Sequence, residues 1–366
     1  MDMSATPLPY DPSQEQVPDD EAETELALSD TLKSIYETTY KNSGHAIRSV
    51  HAKSHGIVRG TLTVAEGLSP ILAQGLFSRA GSYPMVMRFS TPPGDIIDDS
   101  IGLPRGLALK LLGVEGERLP GSEDDTTQDF VLVNGPAFAA PTPAKFAGNL
   151  KLLAKTTDAP QVFKKIISTA LRGMEATLEA FGGESAAMKT MGGAPQLHPL
   201  GETFYSQTAF LFGRHVAKFA VRPIAPALTA LTGTKVSIGG RPDALREEMV
   251  QFFEQNGGDW ELCVQLRTDA AAMPIEDPSV PWSEESSPYL PVAHLRVEAQ
   301  QAWQEAASVR LEDALSFSPW HGLAAHRPLG GINRVRRVTY KKSAAFRREH
   351  NGCPMNEPRD LESLKA

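Results

Sequence analysis

Residues 44 to 64, GHAIRSVHAKSHGIVRGTLTV, contain three histidines followed by a segment of alternating apolar and polar residues. This alternation begins at residue 57 and is typical of a β-strand with two chemically different faces. Further alternating segments follow, and several end in Gly or Pro turn signals. The sequence therefore predicts a mainly antiparallel sheet or barrel that starts directly after the histidines. The other predicted strands are YPMVMRFST (83–91), RGLALKLLGV (105–114), QDFVLVNG (128–135), RHVAKFAVRPI (214–224) and WELCVQLRTD (260–269).

Helical segments accompany these strands. A first helix is predicted at about 25–39 because apolar residues recur there at helical spacing. Two further helical blocks are predicted at about 143–182 and 242–256, and the chain is again helical from about 330. The sequence has no internal repeat, no βαβ alternation and no glycine-rich phosphate loop. The predicted fold class is therefore α+β.

The bulk composition indicates a globular protein and disfavours several partners. With 366 residues and 41% hydrophobic content, the chain can bury a sizeable core. Its formal net charge of -8 disfavours a nucleic-acid partner or an anionic membrane surface. Only two cysteines occur, and no apolar run reaches the length of a membrane-spanning helix. We therefore expect a soluble, cytoplasmic protein.

The ends of the chain differ in composition from its centre. Residues 1–22 are rich in Pro, Asp, Glu and Ser, which bury little apolar surface, so a flexible or draped N-terminal arm is predicted. Residues 23–355 are expected to form a single domain, and residues 356–366 a C-terminal tail.

The segment GGINRVRRVTYKKSAAFRR (330–348) places seven cations within fifteen positions around Tyr340. On a helix, Arg336 lies about one turn before Tyr340 and Arg347 about two turns after it, so the three side chains share one face. A guanidinium within hydrogen-bond distance favours an ionised phenol, which is a strong anionic ligand. Taken alone, the same pattern also fits an amphipathic helix with solvated arginines and an incidental tyrosine. Its opposite, apolar face consists of Val335, Val338 and Phe346.

Alternation also sorts the side chains of YPMVMRFST between two faces. Arg88 and Ser90 fall on the same face and can therefore serve one cavity. This face carries Val86, Arg88 and Ser90, and the other carries Met85, Met87 and Phe89.

Five motifs follow one another in the order seen in haem catalases. They are RSVHAKSHGIVRGTLTV (48–64), VMRFST (86–91), PRGLALKLLG (104–113), DFVLVNGPAF (129–138) and the Arg336-x-x-x-Tyr340 element. The chain resembles the haem catalase superfamily, specifically its short, single-domain peroxidase branch, which is related to allene oxide synthase-type proteins. The resemblance spans about 45–348 and implies a catalase-like antiparallel β-barrel, with haem buried between the barrel and the C-terminal helix.

The resemblance implies a distal side for the haem pocket. His51 would move a proton between the two oxygens of a bound peroxide, since a neutral imidazole titrates near the working pH. Ser90 would hold the tautomer of His51, and Asn134 would donate a hydrogen bond to the peroxide as the O–O bond breaks. His51 is also compatible with a surface or helix-capping histidine, and Ser90 with an ordinary strand hydroxyl. Asn134, directly before Gly-Pro, fits a turn equally well.

The implied cofactor is haem, expected as haem b. Tyr340 would be the proximal iron ligand, as in the catalases that serve as the standard example of tyrosine ligation, with Arg336 beside it. Arginine matches a carboxylate through two parallel hydrogen bonds, which makes three arginines the candidate contacts of the haem propionates. These are Arg48, Arg88 and Arg347. The apolar walls would be Val50, Phe138 and Phe146. Surface ion pairs and ordinary core packing explain the same residue types.

The resemblance implies a haem-dependent catalase-like peroxidase that reduces hydrogen peroxide or small organic hydroperoxides through an oxo-iron intermediate. Its partners would be peroxide and small organic electron donors, and a homo-oligomer is compatible with the sequence. In allene oxide synthase-type relatives a threonine precedes the distal histidine, whereas this chain has Val50, which favours peroxide consumption. Two alternatives stay open: a fatty acid hydroperoxide-converting enzyme of that type, and a haem-binding protein without turnover.

Overall fold

The computed structural model describes residues 6–154, 194–353 and 357–364. A nine-stranded antiparallel sheet forms the centre of this part of the chain. Its strands are β1 (Ser54–Val64), β2 (Ser82–Ser90), β3 (Gly106–Leu112), β4 (Thr127–Val133), β5 (Phe204–Tyr205), β6 (Phe210–Phe212), β7 (His215–Pro223), β8 (Gly258–Leu266) and β9 (Leu290–Val297).

The sheet closes on itself through its shortest strand. The order along the sheet is β5-β4-β3-β2-β1-β9-β8-β7-β6, and β5 pairs with β7 as well as with β4. All strands except β6 therefore form a closed ring. The predicted antiparallel barrel and the α+β class are confirmed.

The helices lie outside this ring. The helix predicted at about 25–39 is longer at both ends, and the block predicted at about 143–182 is described only up to residue 154. The remainder of that block, residues 155–182, lies outside the described residues. The α-helices of the described residues are α1 (Glu21–Ser43), α2 (Pro143–Ala154), α3 (Pro226–Thr229), α4 (Ala244–Gln255), α5 (Glu305–Ala314) and α6 (Gly331–Asn351).

The two faces of β2 pack as the alternation predicts. Met85, Met87 and Phe89 belong to the main apolar core, which receives side chains from every long strand and fills the barrel. Val86 lies in a different cluster, together with Leu311 of α5, outside the barrel. The outer face of β2 is therefore covered by other parts of the chain and is not exposed to solvent.

Helix α6 is fixed to the molecule by its apolar face. Val335 shares a buried cluster with Leu28 of α1 and Leu150 of α2. Further along the helix, the ring of Phe346 lies 4.3 Å from the ring of Tyr36 of α1. The predicted apolar face is thus the face that packs against α1 and α2.

The described part of the predicted N-terminal arm lies along the barrel. The amide of Leu8 donates to the carbonyl of Arg267, and the amide of Tyr10 donates to the carbonyl of Arg214, both at 2.8 Å. Glu15 accepts hydrogen bonds from the guanidinium of Arg327 at 2.9 Å. Residues 6–20 therefore lie along the barrel, held by these polar contacts and by the ring of Tyr10, which packs against a buried apolar cluster that contains Trp282.

Residues 357–364 of the predicted C-terminal tail also contact the barrel. Glu357 and Asp129 both accept hydrogen bonds from the buried ammonium of Lys110 on β3, the second at 2.7 Å. Burial alone would raise the pKa of Glu357, but the Lys110 charge lowers it to about 2. His321 completes a group of metal-ligand type with these two carboxylates, but the lysine ammonium already supplies the cation.

Within the described ranges, no helix combines the length and the apolar character that crossing a bilayer requires.

Candidate functional site

The hydrogen bond expected at Tyr340 is present on α6. Nη2 of Arg336 donates to the phenol oxygen of Tyr340 at 2.9 Å, and its Nη1 donates to Oδ1 of Asn333 at 3.2 Å. Asn333 is fully buried and donates in turn to the carbonyl of Ala209 at 3.0 Å. The guanidinium is therefore held in position beside the phenol, which an incidental surface tyrosine would not require.

The other cations of α6 have different environments. Arg337, Lys341 and Arg348 are exposed to solvent. Arg334, whose role the sequence did not reveal, forms ion pairs that connect the start of α6 to the N-terminal arm and to residue 276. Its three partners are Glu15, Glu21 and Glu276.

His51 has an unusual backbone conformation. Its φ angle is +54°, in the left-handed region that residues with a side chain rarely adopt. Two hydrogen bonds hold this conformation: the amide of His51 donates to the carbonyl of Pro92 at 2.7 Å, and its carbonyl accepts from Nη2 of Arg88 at 2.8 Å. Strain of this kind persists where the surroundings fix it, and it is frequent at functional sites.

The ring of His51 is oriented by Ser90. Nδ1 lies 3.0 Å from Oγ of Ser90, as the resemblance implies. Burial, reinforced by the charges of Arg88, Arg336 and Arg48, lowers the pKa of His51 to about 3, so the imidazole is neutral at ordinary pH. The residue as a whole is half-buried. Among the described residues, Nε2 has no hydrogen-bond partner.

Gly106, the first residue of β3, provides the space for this ring. A Cβ atom at this position would lie well inside contact distance of Cε1 and Nδ1 of His51, and 3.0 Å from Oγ of Ser90. The sequence motifs did not single out Gly106. A glycine that opens a strand in PRGLALKLLG was the available signal, since such glycines often mark a close approach.

Asn134 follows β4, and both ends of its amide have partners. Oδ1 accepts from the backbone amide of Arg105 at 2.5 Å, and Nδ2 donates to Oε1 of Glu202 at 2.7 Å. These bonds fix which way the amide points, and they leave one of the two Nδ2 hydrogens for another acceptor. Turn formation and a directed donor are therefore compatible. Arg105 and Glu202 were not identified from the sequence.

Arg48, Arg88 and Arg347, hereafter the arginine cluster, meet at the end of α5. Arg48 and Arg88 both bind the carboxylate of Glu312, and Nε of Arg88 donates to its Oε1 at 2.7 Å. Arg347 instead donates to the backbone carbonyls of Glu312 and Leu315, at 2.9 and 3.1 Å. The sequence-predicted arginines therefore come together, around a glutamate that the sequence did not indicate.

Several contacts place these groups around one region. Oγ of Ser49 lies 3.2 Å from Oγ of Ser343, so the segment that carries His51 touches α6 one turn beyond Tyr340. The charge of Arg336 also contributes to the low pKa of His51. The expected wall residues lie at the same helix packing: Val50 and Phe146 border the cluster that contains Val335, and the ring of Phe138 is 5.1 Å from that of Phe146.

The residues present fit a haem. A phenol beside a guanidinium suits ferric iron. The arginine cluster brings three guanidiniums together, and arginine matches a carboxylate such as a haem propionate through two parallel hydrogen bonds. The neutral imidazole of His51, whose Nε2 is unbonded among the described residues, and the apolar side chains of Val50 and Phe146 are the other groups here that suit a flat, apolar ligand with two carboxylates.

Comparison with known proteins gives a structural likeness. No protein-family model and no curated protein matches the chain. A fungal catalase matches with a TM-score of 0.61 at 16% identity over 90% of this chain and 64% of that one. Catalase A from Saccharomyces cerevisiae gives 0.58 at 16% identity over 90% and 67%, and a bacterial catalase gives 0.60 at 18% over 98% and 66%. The fold is thus catalase-like, and the chain spans about two thirds of the length of these catalases.

Proposed function

We propose that this protein is a haem-dependent, catalase-like peroxidase of the short single-domain type. It reduces hydrogen peroxide or small organic hydroperoxides and takes electrons from small organic donors. The observation that carries the proposal is the 2.9 Å hydrogen bond from Arg336 to Tyr340 on α6. The catalase-like fold supports it, although at 16 to 18% identity that likeness speaks for the fold alone.

In this proposal Tyr340 is the iron ligand of haem b, and the arginine cluster binds the propionates. Arg336 stabilises the phenolate by donating to its oxygen. Bound haem supplies a redox-active ferric iron that binds peroxide. The protein contributes orientation, proton transfer and exclusion of water.

His51 is the proposed proton carrier. Because Nδ1 is bonded to Ser90, Nε2 is the atom that accepts a proton from one oxygen of the peroxide and returns it to the other oxygen as the O–O bond breaks. Burial, reinforced by the charges of Arg88, Arg336 and Arg48, lowers the pKa of His51 to about 3, so the imidazole is neutral at ordinary pH and Nε2 can accept a proton.

Asn134 is the proposed hydrogen-bond donor to the peroxide. Nδ2 of Asn134 donates one of its hydrogens to Oε1 of Glu202 at 2.7 Å. This bond orients the second Nδ2 hydrogen, so the amide need not rotate during the reaction. A donor fixed in advance stabilises the charge that develops on oxygen at no reorganisation cost.

The test of this proposal is Tyr340→Phe in the full chain reconstituted with hemin. Removal of the phenol oxygen is expected to abolish stable binding or to shift the Soret band strongly, with loss of peroxide-dependent donor oxidation. Tyr40→Phe is the matched control, because Tyr40 contacts α6 through Phe346 at 5.8 Å. An unchanged Soret band in Tyr340→Phe contradicts the proposal.

A further inference from the structure

The carboxylate of Glu312 binds two guanidiniums of the arginine cluster. Both of its carboxylate oxygens are engaged, Oε2 by Arg48 and Oε1 by Arg88. Its side chain is 12% exposed, and although burial alone would raise the pKa of Glu312, the two guanidiniums lower it to about 2. The carboxylate is thus charged and largely shielded from water.

Other bonds hold the guanidiniums in place independently of this carboxylate. Arg48 also donates to the backbone carbonyls of Glu312 and Leu315, at 3.2 and 2.8 Å, and Arg347 donates to the same two carbonyls. Arg88 donates to the carbonyl of His51 at 2.8 Å. These backbone acceptors hold the three cations without the carboxylate of Glu312.

The arginine cluster is thus a preformed carboxylate site that already contains one carboxylate. We propose that Glu312 is an internal competitor, which satisfies Arg48 and Arg88 before the cofactor arrives and is displaced in part by a propionate. This inference rests on the proposed function. It assigns Glu312 a role in setting haem affinity and in keeping the cofactor-free protein folded, and it makes Glu312 a positioning residue that need not contact peroxide.

Two opposite effects follow for Glu312→Gln. The cofactor-free variant loses a charge-assisted partner for two buried guanidiniums and should melt at a lower temperature than the wild type. The affinity of the variant for hemin should rise, because a propionate no longer has to displace a charged carboxylate from Arg48 and Arg88. The net free energy of a hydrogen bond to a charged group corresponds to a factor of about 10 to 100, so the dissociation constant for hemin should fall by about that factor.

The experiment is a titration of cofactor-free full-length protein with hemin, followed through the Soret band, together with a thermal melt before hemin is added. Hemin dimethyl ester, which lacks both carboxylates, is titrated in parallel. For hemin, Glu312→Gln should bind more tightly than the wild type, and for the ester the two proteins should be equal. Glu305→Gln on the same helix is the matched control, since Glu305 is 76% exposed and lies outside the arginine cluster.

Glu312→Asp keeps the test usable if Glu312→Gln does not fold. The shorter aspartate cannot span both guanidiniums, so hemin should bind more tightly than to the wild type, by a smaller factor. Hemin affinity that is unchanged or weaker in these variants overturns the inference while the proposed function stands. A wild type that binds neither hemin nor its ester ends the proposed function, and this inference with it.

Discussion

The inner and outer faces of the barrel wall are made of the same strands but of opposite chemistry. On β2, Met87 and Phe89 point into an apolar interior, whereas Arg88 and Ser90 point outward to Glu312 and His51. All of these side chains on β2 are buried. The barrel lumen therefore contributes stability, while the candidate chemistry lies between the outer wall and α6. Substitutions on the two faces should separate stability from function.

The largest expected effect is on the outer side, at His51. His51→Gln keeps a polar side chain beside Ser90 but removes the proton-accepting nitrogen, so the rate of reaction with peroxide should fall by about 10²- to 10⁴-fold. Hemin binding and the melting temperature should change little. Stopped-flow absorption with hydrogen peroxide measures the rate, and His294→Gln, at a partly exposed histidine on β9, is the control. A His51→Gln protein that reacts at the wild-type rate would remove His51 from the mechanism.

The inner face should respond in the reverse manner. Phe89→Ala leaves a cavity in the barrel and should lower the free energy of unfolding by about 3–5 kcal/mol, as measured by chemical denaturation. The Soret spectrum and the peroxide rate of the folded fraction should remain close to those of the wild type. A loss of haem spectrum without a loss of stability would mean that the two faces are not functionally distinct.

An intermediate effect is expected at Gly106, which lies behind the His51 ring. Gly106→Ala forces the ring and Ser90 apart, and displacement of a catalytic group by about 1 Å can cost as much as about 10²-fold in rate. Hemin affinity should be retained, since Gly106 contacts none of the proposed cofactor ligands. Gly113→Ala, just after the same strand, has open space at its Cβ position but a φ of +71°, so it controls for backbone effects alone. Equal rates in both variants would contradict the packing role.

The smallest effect is a dependence of stability on pH, to which several histidines with a lowered pKa contribute, among them His51, His55 and His326. Burial lowers the pKa of His51 to about 3 and that of His326, which packs against Phe77 and Phe212 of the apolar core, to about 4. In the unfolded chain each titrates near about 6.5, so below that pH the unfolded state binds more protons and the free energy of unfolding falls. The slope should approach about 1.4 kcal/mol per pH unit per histidine.

Urea denaturation of the cofactor-free protein at pH 7.5 and pH 5 measures this slope, and His51→Gln should reduce it. The carboxylates with a low pKa, Glu312 and Glu357, add their own loss only below about pH 4.5, where the unfolded carboxyls begin to bind protons. An identical slope in His51→Gln would show that the folded imidazole is not held neutral.

The sequence predicted what depends on local periodicity. The faces of β2 follow from alternation, and the Arg336–Tyr340 contact follows from one turn of helix. Strand β9 was not predicted because Pro291 interrupts its alternation of apolar and polar residues, and β5 is too short to show such an alternation. Glu312 and Glu202 could not be found in this way, since their partners are distant along the chain and only the fold brings them together.

Closure of the barrel depends on its least extensive seam. β5 contributes two residues, and a single residue pair, Val133 with Tyr205, connects it to β4. Local opening costs least where so few bonds hold neighbouring strands together. Asn134 and Glu202 flank this seam and are joined across it at 2.7 Å. The side-chain amide of Asn134, proposed to direct peroxide, therefore also helps to hold β4 and β5 together. A molecule that strengthens or weakens the Asn134–Glu202 hydrogen bond should change how readily these two strands separate.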